Sequence, residues 1–321
     1  MSGTGEQRIE AALAEAEGWP GTREGETLGI VRLPGTRIAV RRRPGTVDGL
    51  QPAFFVHGVG GSSRNWSSLM ELLADDVECE AIDLPGFGAS PPPHGRDYSV
   101  FGHARAVIRT LEATRRGPVH LFGNSLGGAV AVRVAALRPD LVRTLTLVSP
   151  ALPEIPPQRT ALPTGLLGVP GVTALLRRTT RGKPPSRRVR ELLSLSYGDP
   201  ARITPEEYAA AEAEMRRREA LPYFWDALAR TARGLVSAYT LGGQNSLWRQ
   251  AERVLAPTLL VYGMRDRLVS FKMARRASRT FGNSRLVMLP GAGHVAMMEY
   301  PTVVAGAFRD FLAETTSTAD G

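Results

Sequence analysis

The sequence has very little cysteine and no long apolar run. Its 321 residues include a single cysteine, Cys79, which excludes an intramolecular disulfide and a metal site built from several cysteines. No apolar run approaches the roughly 18 residues that a membrane-spanning helix needs. Residues 1–20 are polar and acidic and lack the apolar core of a signal peptide. These features predict a soluble, cytoplasmic protein in which residues 1–20 form a short helical extension before the main domain.

The formal net charge is +9, but the sequence contains no element that reads nucleic acid. It lacks zinc-finger spacing, a helix-turn-helix signature and an aromatic RNA-binding strand, so we expect no nucleic-acid partner. Part of the excess charge lies in a run that begins at Arg177, ends at Arg190, and holds seven basic residues and no acidic one. Such a run could meet an anionic substrate, a phospholipid surface or an acidic partner. We interpret it as a solvated, mobile loop, with membrane-surface contact as the less favoured alternative.

Predicted strands and helices alternate over the first half of the chain. Two β-like stretches come first, and short apolar runs predict buried strands after them. Helical segments separate these strands. The predicted strands are residues 27–33, 37–42, 51–57, 77–83, 119–123 and 145–149, and the predicted helices are residues 66–74, 99–115 and 125–137. This alternation predicts an α/β fold with a mostly parallel central sheet that is flanked by helices on both faces.

The alternation stops at residue 151. From there to about residue 244, the chain has proline-rich turns and helical segments, and no buried strand is predicted. Strands resume at residues 258–262 and 285–289, and a last helix is predicted at residues 301–312. We therefore predict a core formed by residues 21–150 and 245–321, interrupted by a helical insertion at residues 151–244.

The sequence Gly-Asn-Ser-Leu-Gly-Gly, residues 123–128, lies where a predicted strand meets a predicted helix. A serine hydroxyl is a poor nucleophile unless a base takes its proton. A sharp strand-to-helix turn lifts the side chain of Ser125 clear of the backbone, and such a turn needs glycines two positions away on each side, here Gly123 and Gly127. The first N–H groups of the helix also point at any negative charge that develops beside the serine. The context therefore predicts a nucleophilic serine.

Several motifs together resemble those of the α/β-hydrolase fold family, and more narrowly of its cap-bearing serine hydrolases. Residues 123–128 resemble the family's nucleophile elbow. Residues 57–61 (HGVGG) resemble its oxyanion loop, and residues 83–90 (DLPGFGAS) resemble its DxPGxGxS turn. The resemblance covers nearly the whole chain apart from residues 1–20 and much of residues 151–244. It implies that the helical insertion is a cap over the site.

The resemblance also implies that a serine, an acid and a histidine follow one another in the chain. Asp266 follows the predicted strand TLLVYG, and His294 follows the predicted strand RLVMLP in a glycine-rich loop. Both loops leave the same end of the sheet as Ser125. We assign Ser125 as the nucleophile, His294 as the general base and acid, and Asp266 as the acid that orients the imidazole. The backbone N–H groups of Val59 and Leu126 are expected to form the oxyanion hole, with no metal or cofactor.

We predict hydrolysis of a small to medium-sized, largely apolar carboxylic ester through an acyl-enzyme on Ser125. A hydrolase of C–C bonds, of the meta-cleavage type, is the main alternative, because those enzymes favour asparagine before the nucleophile, as Asn124 stands here. Two departures weaken it: Val295 follows the histidine where they carry tryptophan, and residues 57–61 lack their HGxGPG pattern. A lipase-like monoacylglycerol hydrolase, a cofactor-free haloperoxidase or perhydrolase, and a ligand receptor with a slow triad remain open.

Overall fold

Eight β-strands form one sheet at the centre of the protein. The computed structural model describes residues 22–154, 156–180, 182 and 184–317, so the extension predicted at residues 1–20 lies outside the described residues. Within them the strands are β1 (Thr27–Leu33), β2 (Thr36–Arg43), β3 (Gln51–Val56), β4 (Val77–Ile82), β5 (Val119–Asn124), β6 (Val142–Val148), β7 (Thr258–Gly263) and β8 (Ser284–Leu289).

The strand order across the sheet is β1-β2-β4-β3-β5-β6-β7-β8. Strand β2 runs antiparallel to both of its neighbours, β1 and β4, and all other neighbours are parallel. Parallel neighbours require crossover connections, which here are mostly helical. The predicted α/β fold with a mostly parallel sheet is confirmed.

Helices cover both faces of the sheet and fill the insertion. Among the described residues, the α-helices are α1 (Ser67–Leu72), α2 (Val100–Thr114), α3 (Leu126–Leu137), α4 (Leu162–Leu166), α5 (Val172–Thr180), α6 (Pro185–Ser196), α7 (Pro205–Ala220), α8 (Phe224–Thr240), α9 (Leu247–Ala251), α10 (Met273–Thr280), α11 (Ala296–Glu299) and α12 (Pro301–Ser317). None of them combines the length and the apolar composition that crossing a bilayer requires.

The core has one apolar layer on each face of the sheet. On one face α2 and α3 pack against the strands, and α3 lies close because its sequence, LGGAVAVRVAAL, is mostly small residues that are buried. The other face is aromatic: Phe122 of β5 stacks on Phe55 with ring centres 4.3 Å apart and meets Phe308 of α12 at 4.8 Å. Such pairs stabilise beyond the area that they bury, and they attach β5 to its neighbour β3 and to α12.

The helical insertion lies between β6 and β7 and contains α4 to α8. No strand occurs between residues 151 and 244 within the described residues, as the sequence predicts. We call residues 151–244 the cap. Their limits as a separate domain, and those of the two core segments, stay predictions.

The expectation of a mobile loop at residues 177–190 is wrong for most of the described residues of that run, which are helical. Helix α5 extends into this run as far as Thr180, and α6 begins inside it at Pro185. Proline is favoured at the first position of a helix, and arginine is a good helix former. The segment is also stabilised by ion pairs, since Arg187 contacts Glu191 one turn later and Arg188 contacts Glu219 of α7.

Candidate active site

Ser125 occupies a strained turn between β5 and α3. Its backbone has φ 55° and ψ −119°, a conformation that residues with a side chain rarely adopt. The predicted need for glycine on both sides is confirmed. A Cβ atom on Gly127 would lie 2.1 Å from the carbonyl oxygen of Val56, and one on Gly123 would lie 2.4 Å from the carbonyl oxygen of Gly127. The turn can therefore form only with glycine at both positions, because the backbone segments approach too closely to leave room for a Cβ atom.

Hydrogen bonds fix this turn to the neighbouring strand β6. The N–H of Ser125 donates to the carbonyl of Val148 at 3.2 Å, and the Ser125 carbonyl accepts from the N–H of Ala151 at 2.9 Å. The side chain of Asn124 adds two further bonds, because its Nδ2 donates to the carbonyls of Val148 and His294, each at 3.0 Å. Asn124 thus ties the turn that carries Ser125 to the loop that carries His294.

Asp266 and His294 form a hydrogen-bonded pair beneath the cap. His294 Nδ1 lies 2.9 Å from Asp266 Oδ2, and both residues are buried. The other carboxylate oxygen accepts from the N–H groups of Leu268 and Val269 at 2.7 and 2.9 Å. Burial alone would raise the pKa of Asp266, but the nearby His294 and these hydrogen bonds outweigh it and lower that pKa. Asp266 is therefore ionised at neutral pH and able to accept a hydrogen bond from the Nδ1–H of the imidazole.

The two residues predicted for the oxyanion hole lie on either side of Ser125. Leu126 is the first residue of α3, and N–H groups of a first helical turn have no acceptor inside the helix. Val59 lies in residues 57–61, which we call the oxyanion loop. This loop is adjacent to the nucleophile turn, since a Cβ on Gly58 would lie 3.1 Å from Ser125 Cβ.

His57 holds the oxyanion loop in place, and Asp83 fixes the segment that follows it. His57 Nδ1 lies 2.7 Å from the Gly58 carbonyl and His57 Nε2 accepts from the N–H of Leu84 at 3.0 Å, so Nδ1 carries the proton and donates. Burial lowers the pKa of His57, which agrees with a neutral ring. Asp83 accepts from the N–H groups of Ser63 and Ala89 at 2.6 and 2.7 Å. These contacts give Asp83 a structural role.

A cavity of about 760 Å³ lies between the core and the cap. Ser125, His294 and Val59 line it on the core side. The cap contributes mainly apolar side chains, which include Leu162, Leu166, Leu193, Leu235 and Val236. Within the described ranges, no three His, Cys, Asp or Glu side chains are grouped as a metal site would require.

A family profile described as alpha/beta hydrolase fold matches residues 52–301, which is most of the chain. The chain belongs to the α/β-hydrolase family. This membership makes the protein a hydrolase, and it extends from the start of β3 to the start of α12.

Curated relatives of this α/β-hydrolase include esterases and lipases. A pimeloyl-[acyl-carrier protein] methyl ester esterase of Neisseria meningitidis is 27% identical over 284 residues, which cover 85% of this chain and 96% of the relative. Human monoacylglycerol lipase ABHD6 is 24% identical over 283 residues, which cover 87% of this chain and 79% of the relative. Among solved structures, a meta-cleavage product hydrolase from Pseudomonas fluorescens superposes with a TM-score of 0.69 at 18% identity over 88% of this chain and 97% of that one. At that identity the likeness shows a shared fold alone.

The structure of this α/β-hydrolase contains a contact between the cap and the oxyanion loop that could not be predicted from the sequence. Arg218 of α7 donates from Nη1 to the carbonyl of Gly60 at 2.7 Å, and its guanidinium lies 5.3 Å from the ring centre of Phe224. The cap therefore fixes the peptide between Gly60 and Gly61, one residue after Val59. No motif marks Arg218, because its partner is a backbone oxygen 158 residues away in the chain.

A second missed residue is Glu299, the last residue of α11. Its buried carboxylate accepts from the N–H of Gly293, beside His294, at 2.8 Å. It also accepts from the N–H groups of Gly198 and Asp199 in the cap, at 3.0 and 2.8 Å. The two backbones are in direct contact, since the N–H of His294 donates to a carbonyl at residue 196 at 2.7 Å. One carboxylate thus joins the cap to residues 291–294, which we call the histidine loop.

Proposed function

We propose that this protein is a serine hydrolase that cleaves a small to medium-sized, largely apolar carboxylic ester through an acyl-enzyme on Ser125. The observation that carries the proposal is the 2.9 Å hydrogen bond between His294 Nδ1 and Asp266 Oδ2. It holds the imidazole in a cavity that Ser125 also lines. The strained turn at Ser125 supports the same role, because such strain persists where it positions a reactive group.

The acylation step uses all three side chains. Asp266 accepts a hydrogen bond from the Nδ1–H of His294, which keeps the proton on Nδ1 and leaves the unprotonated Nε2 available as a base. Ser125 Oγ attacks the carbonyl carbon of the ester while Nε2 takes the hydroxyl proton. The tetrahedral intermediate then expels the alcohol, which receives that proton from the imidazolium, and the acyl group stays on Oγ.

Deacylation repeats these steps with water in place of the serine. His294 takes a proton from a water molecule, the hydroxide attacks the acyl carbon, and Ser125 leaves with the proton returned by the imidazolium. In both steps a negative charge develops on the carbonyl oxygen. We propose that the N–H groups of Val59 and Leu126 stabilise it, and one donor of this kind is typically worth about 3 kcal/mol of barrier.

The preference for an apolar ester follows from the cavity. Its volume of about 760 Å³ is in the range of small-molecule sites, and its cap side is lined by leucine and valine side chains. We propose that the cap, residues 151–244, excludes water from the acyl-enzyme and sets the acyl length. The esterase and monoacylglycerol lipase among the relatives support ester hydrolysis as the reaction class.

Cleavage of a C–C bond remains the alternative of the same fold, together with lipase-like monoacylglycerol hydrolysis, perhydrolase or haloperoxidase chemistry, and ligand reception with slow turnover. Asn124, which those C–C hydrolases also carry, has a positioning role here, because it bonds the carbonyls of Val148 and His294. Its presence is therefore accounted for without a C–C substrate. A cytoplasmic location stays part of the proposal and is compatible with the buried, unpaired thiol of Cys79.

The test is a panel of p-nitrophenyl esters of increasing acyl length, run beside a dienolic C–C substrate. We expect multiple turnovers on the shorter and medium esters, and loss of at least about 10³-fold in kcat for Ser125→Ala with the fold retained. Ser149→Ala, which changes a buried serine at the end of β6, is the matched control and should stay active. A fluorophosphonate probe should label Ser125. Turnover by Ser125→Ala, or labelling at another residue, would contradict the assignment.

A further inference from the structure

The mouth of the cavity is surrounded by exposed apolar side chains. Of the fourteen large apolar side chains that are well exposed among the described residues, eight lie between residues 162 and 241. Four of them also line the cavity and are 42–54% exposed; we call these four the apolar rim: Leu162, Leu166, Leu192 and Val236. Single exposed leucines are ordinary on protein surfaces, whereas a contiguous group around an opening marks an interaction site.

Much of the excess positive charge of the chain lies in the sequence segment that also carries three of the four rim residues. Between the start of α4 and the end of α6, residues 162–196 contain seven basic residues and one acidic residue, a net of +6 within a chain whose total is +9. Arg177 and Arg178 form the last turns of α5, and Arg187 and Arg190 lie on α6. All four are exposed. Helix α6 carries both kinds of group, since it contains Arg187 and Arg190 as well as the rim residue Leu192.

We propose that this part of the cap is a docking surface for an anionic lipid membrane. Apolar side chains flanked by arginines are what an interfacial segment needs: the first enter the boundary between headgroups and acyl chains, and the second neutralise anionic headgroups. The rim also surrounds the mouth of the cavity. A docked protein would close that mouth, whereas a lipid surface leaves it open to an apolar ester lying in the membrane.

This inference rests on the proposed ester hydrolysis in one respect: membrane docking would deliver an apolar ester to the cavity. The docking step itself needs no catalysis and is measured separately. The full chain is mixed with vesicles of phosphatidylcholine and phosphatidylglycerol, or with vesicles of phosphatidylcholine alone, and the bound fraction is found by sedimentation. We expect binding to the anionic vesicles, little binding to the neutral ones, and release at high salt, because salt screens the headgroup charge.

Variants with matched controls locate the surface. Arg187→Gln should weaken binding about fivefold, the effect of one basic residue at a membrane surface, whereas Arg249→Gln should not. These two arginines are 66% and 65% exposed, and each pairs with a glutamate one turn later. Leu175→Ser should weaken binding by up to about tenfold, whereas Leu255→Ser should not, because Leu255 lies just before β7, at the opposite end of the strands from Ser125.

Two results would overturn the docking surface. The first is failure of the chain to sediment with anionic vesicles at low salt, which is also the outcome if the rim instead binds a second copy or an acidic protein. The second is equal weakening by the variants and their controls, which would mean that net charge alone drives binding. Hydrolysis of dissolved p-nitrophenyl esters without vesicle binding removes only the docking surface. Vesicle binding without ester hydrolysis removes only the proposed function.

Discussion

The backbone strain at Ser125 can be measured as a difference in the free energy of unfolding between two variants. Its φ of 55° and ψ of −119° lie in a region where a residue with a Cβ costs about 1–3 kcal/mol. Ser125→Ala keeps that cost, while Ser125→Gly removes it. Glycine also makes the unfolded chain more flexible, which costs about 0.4–1 kcal/mol. We therefore expect Ser125→Gly to be more stable than Ser125→Ala by about 0.5–2 kcal/mol.

Urea unfolding of the two variants, followed by circular dichroism, measures this difference directly. Both variants lack the serine hydroxyl that we propose as the nucleophile, so activity does not enter the comparison. The control is Ala213→Gly at an exposed position in the middle of α7, where glycine should instead cost about 1 kcal/mol. If Ser125→Gly unfolds at the same urea concentration as Ser125→Ala, or at a lower one, the turn is not strained and this explanation of its geometry fails.

Three further predictions concern the acid, the cap contact and pH. Asp266→Asn should lower kcat about 10³-fold or more with little loss of folding, because an amide in place of the carboxylate no longer favours the tautomer in which Nδ1 carries the proton. Steady-state kinetics on a short ester measures this kcat. A loss below tenfold would contradict the proposed role of Asp266. Glu299→Gln should lower kcat by about tenfold or more, because it leaves a buried N–H unpaired and shifts the histidine loop. The control Glu212→Gln, on a cap helix away from the histidine loop, should leave kcat unchanged. Equal kinetics for the two variants would refute the role of Glu299 in joining the cap to the histidine loop. Burial lowers the pKa of His103 to about 3 and that of His120 to about 4. Below pH 6.5 the unfolded chain therefore takes up protons that the folded chain does not, and each histidine should remove about 2 kcal/mol of stability between pH 7 and pH 5. Urea unfolding at the two pH values tests this, and a stability that does not fall would contradict it.

The core strands could be predicted where the local pattern and the final environment agree. Strands β3, β5 and β7 are short apolar runs, and all of them are buried in the middle of the sheet. Strand β6 begins at Val142, whereas the prediction begins at residue 145. The exposed Arg143 lies early in this strand, so the first residues lack the apolar run on which the prediction depends.

The cap was harder to predict because its helices break local rules. Helix α4 has the sequence LPTGL, in which proline and glycine both oppose a helix interior, and it is held by contacts with α8. Helix α6 begins inside a stretch that reads as a charged loop. Proline at its first position and the Arg187–Glu191 pair favour this helix locally, and the Arg188–Glu219 pair attaches it to α7.

The residues of the candidate site also fall into those that could be predicted from the sequence and those that could not. Ser125, Asp266 and His294 are recognisable because each stands in a motif or at the end of a strong strand. Arg218 and Glu299 are not, because each acts on backbone atoms of a distant segment. The sequence does not show which backbone N–H or carbonyl group a distant side chain will contact. Only the folded structure therefore reveals that these two side chains reach the site.

The close contact between the histidine loop and the cap gives the cap a fixed side and a variable side. Where Gly198 meets Gly293, a Cβ on Gly293 would lie 2.3 Å from the Gly198 nitrogen, so almost any new side chain there would displace His294, the proposed general base. On the far side, Leu162 and Leu166 touch the cavity and are about half exposed, and their replacement alters the entrance and the apolar rim but leaves the histidine loop in place. New substrate preferences can therefore arise through α4 without a loss of chemical competence, so that evolution and laboratory selection have a region in which to vary specificity at little cost to rate.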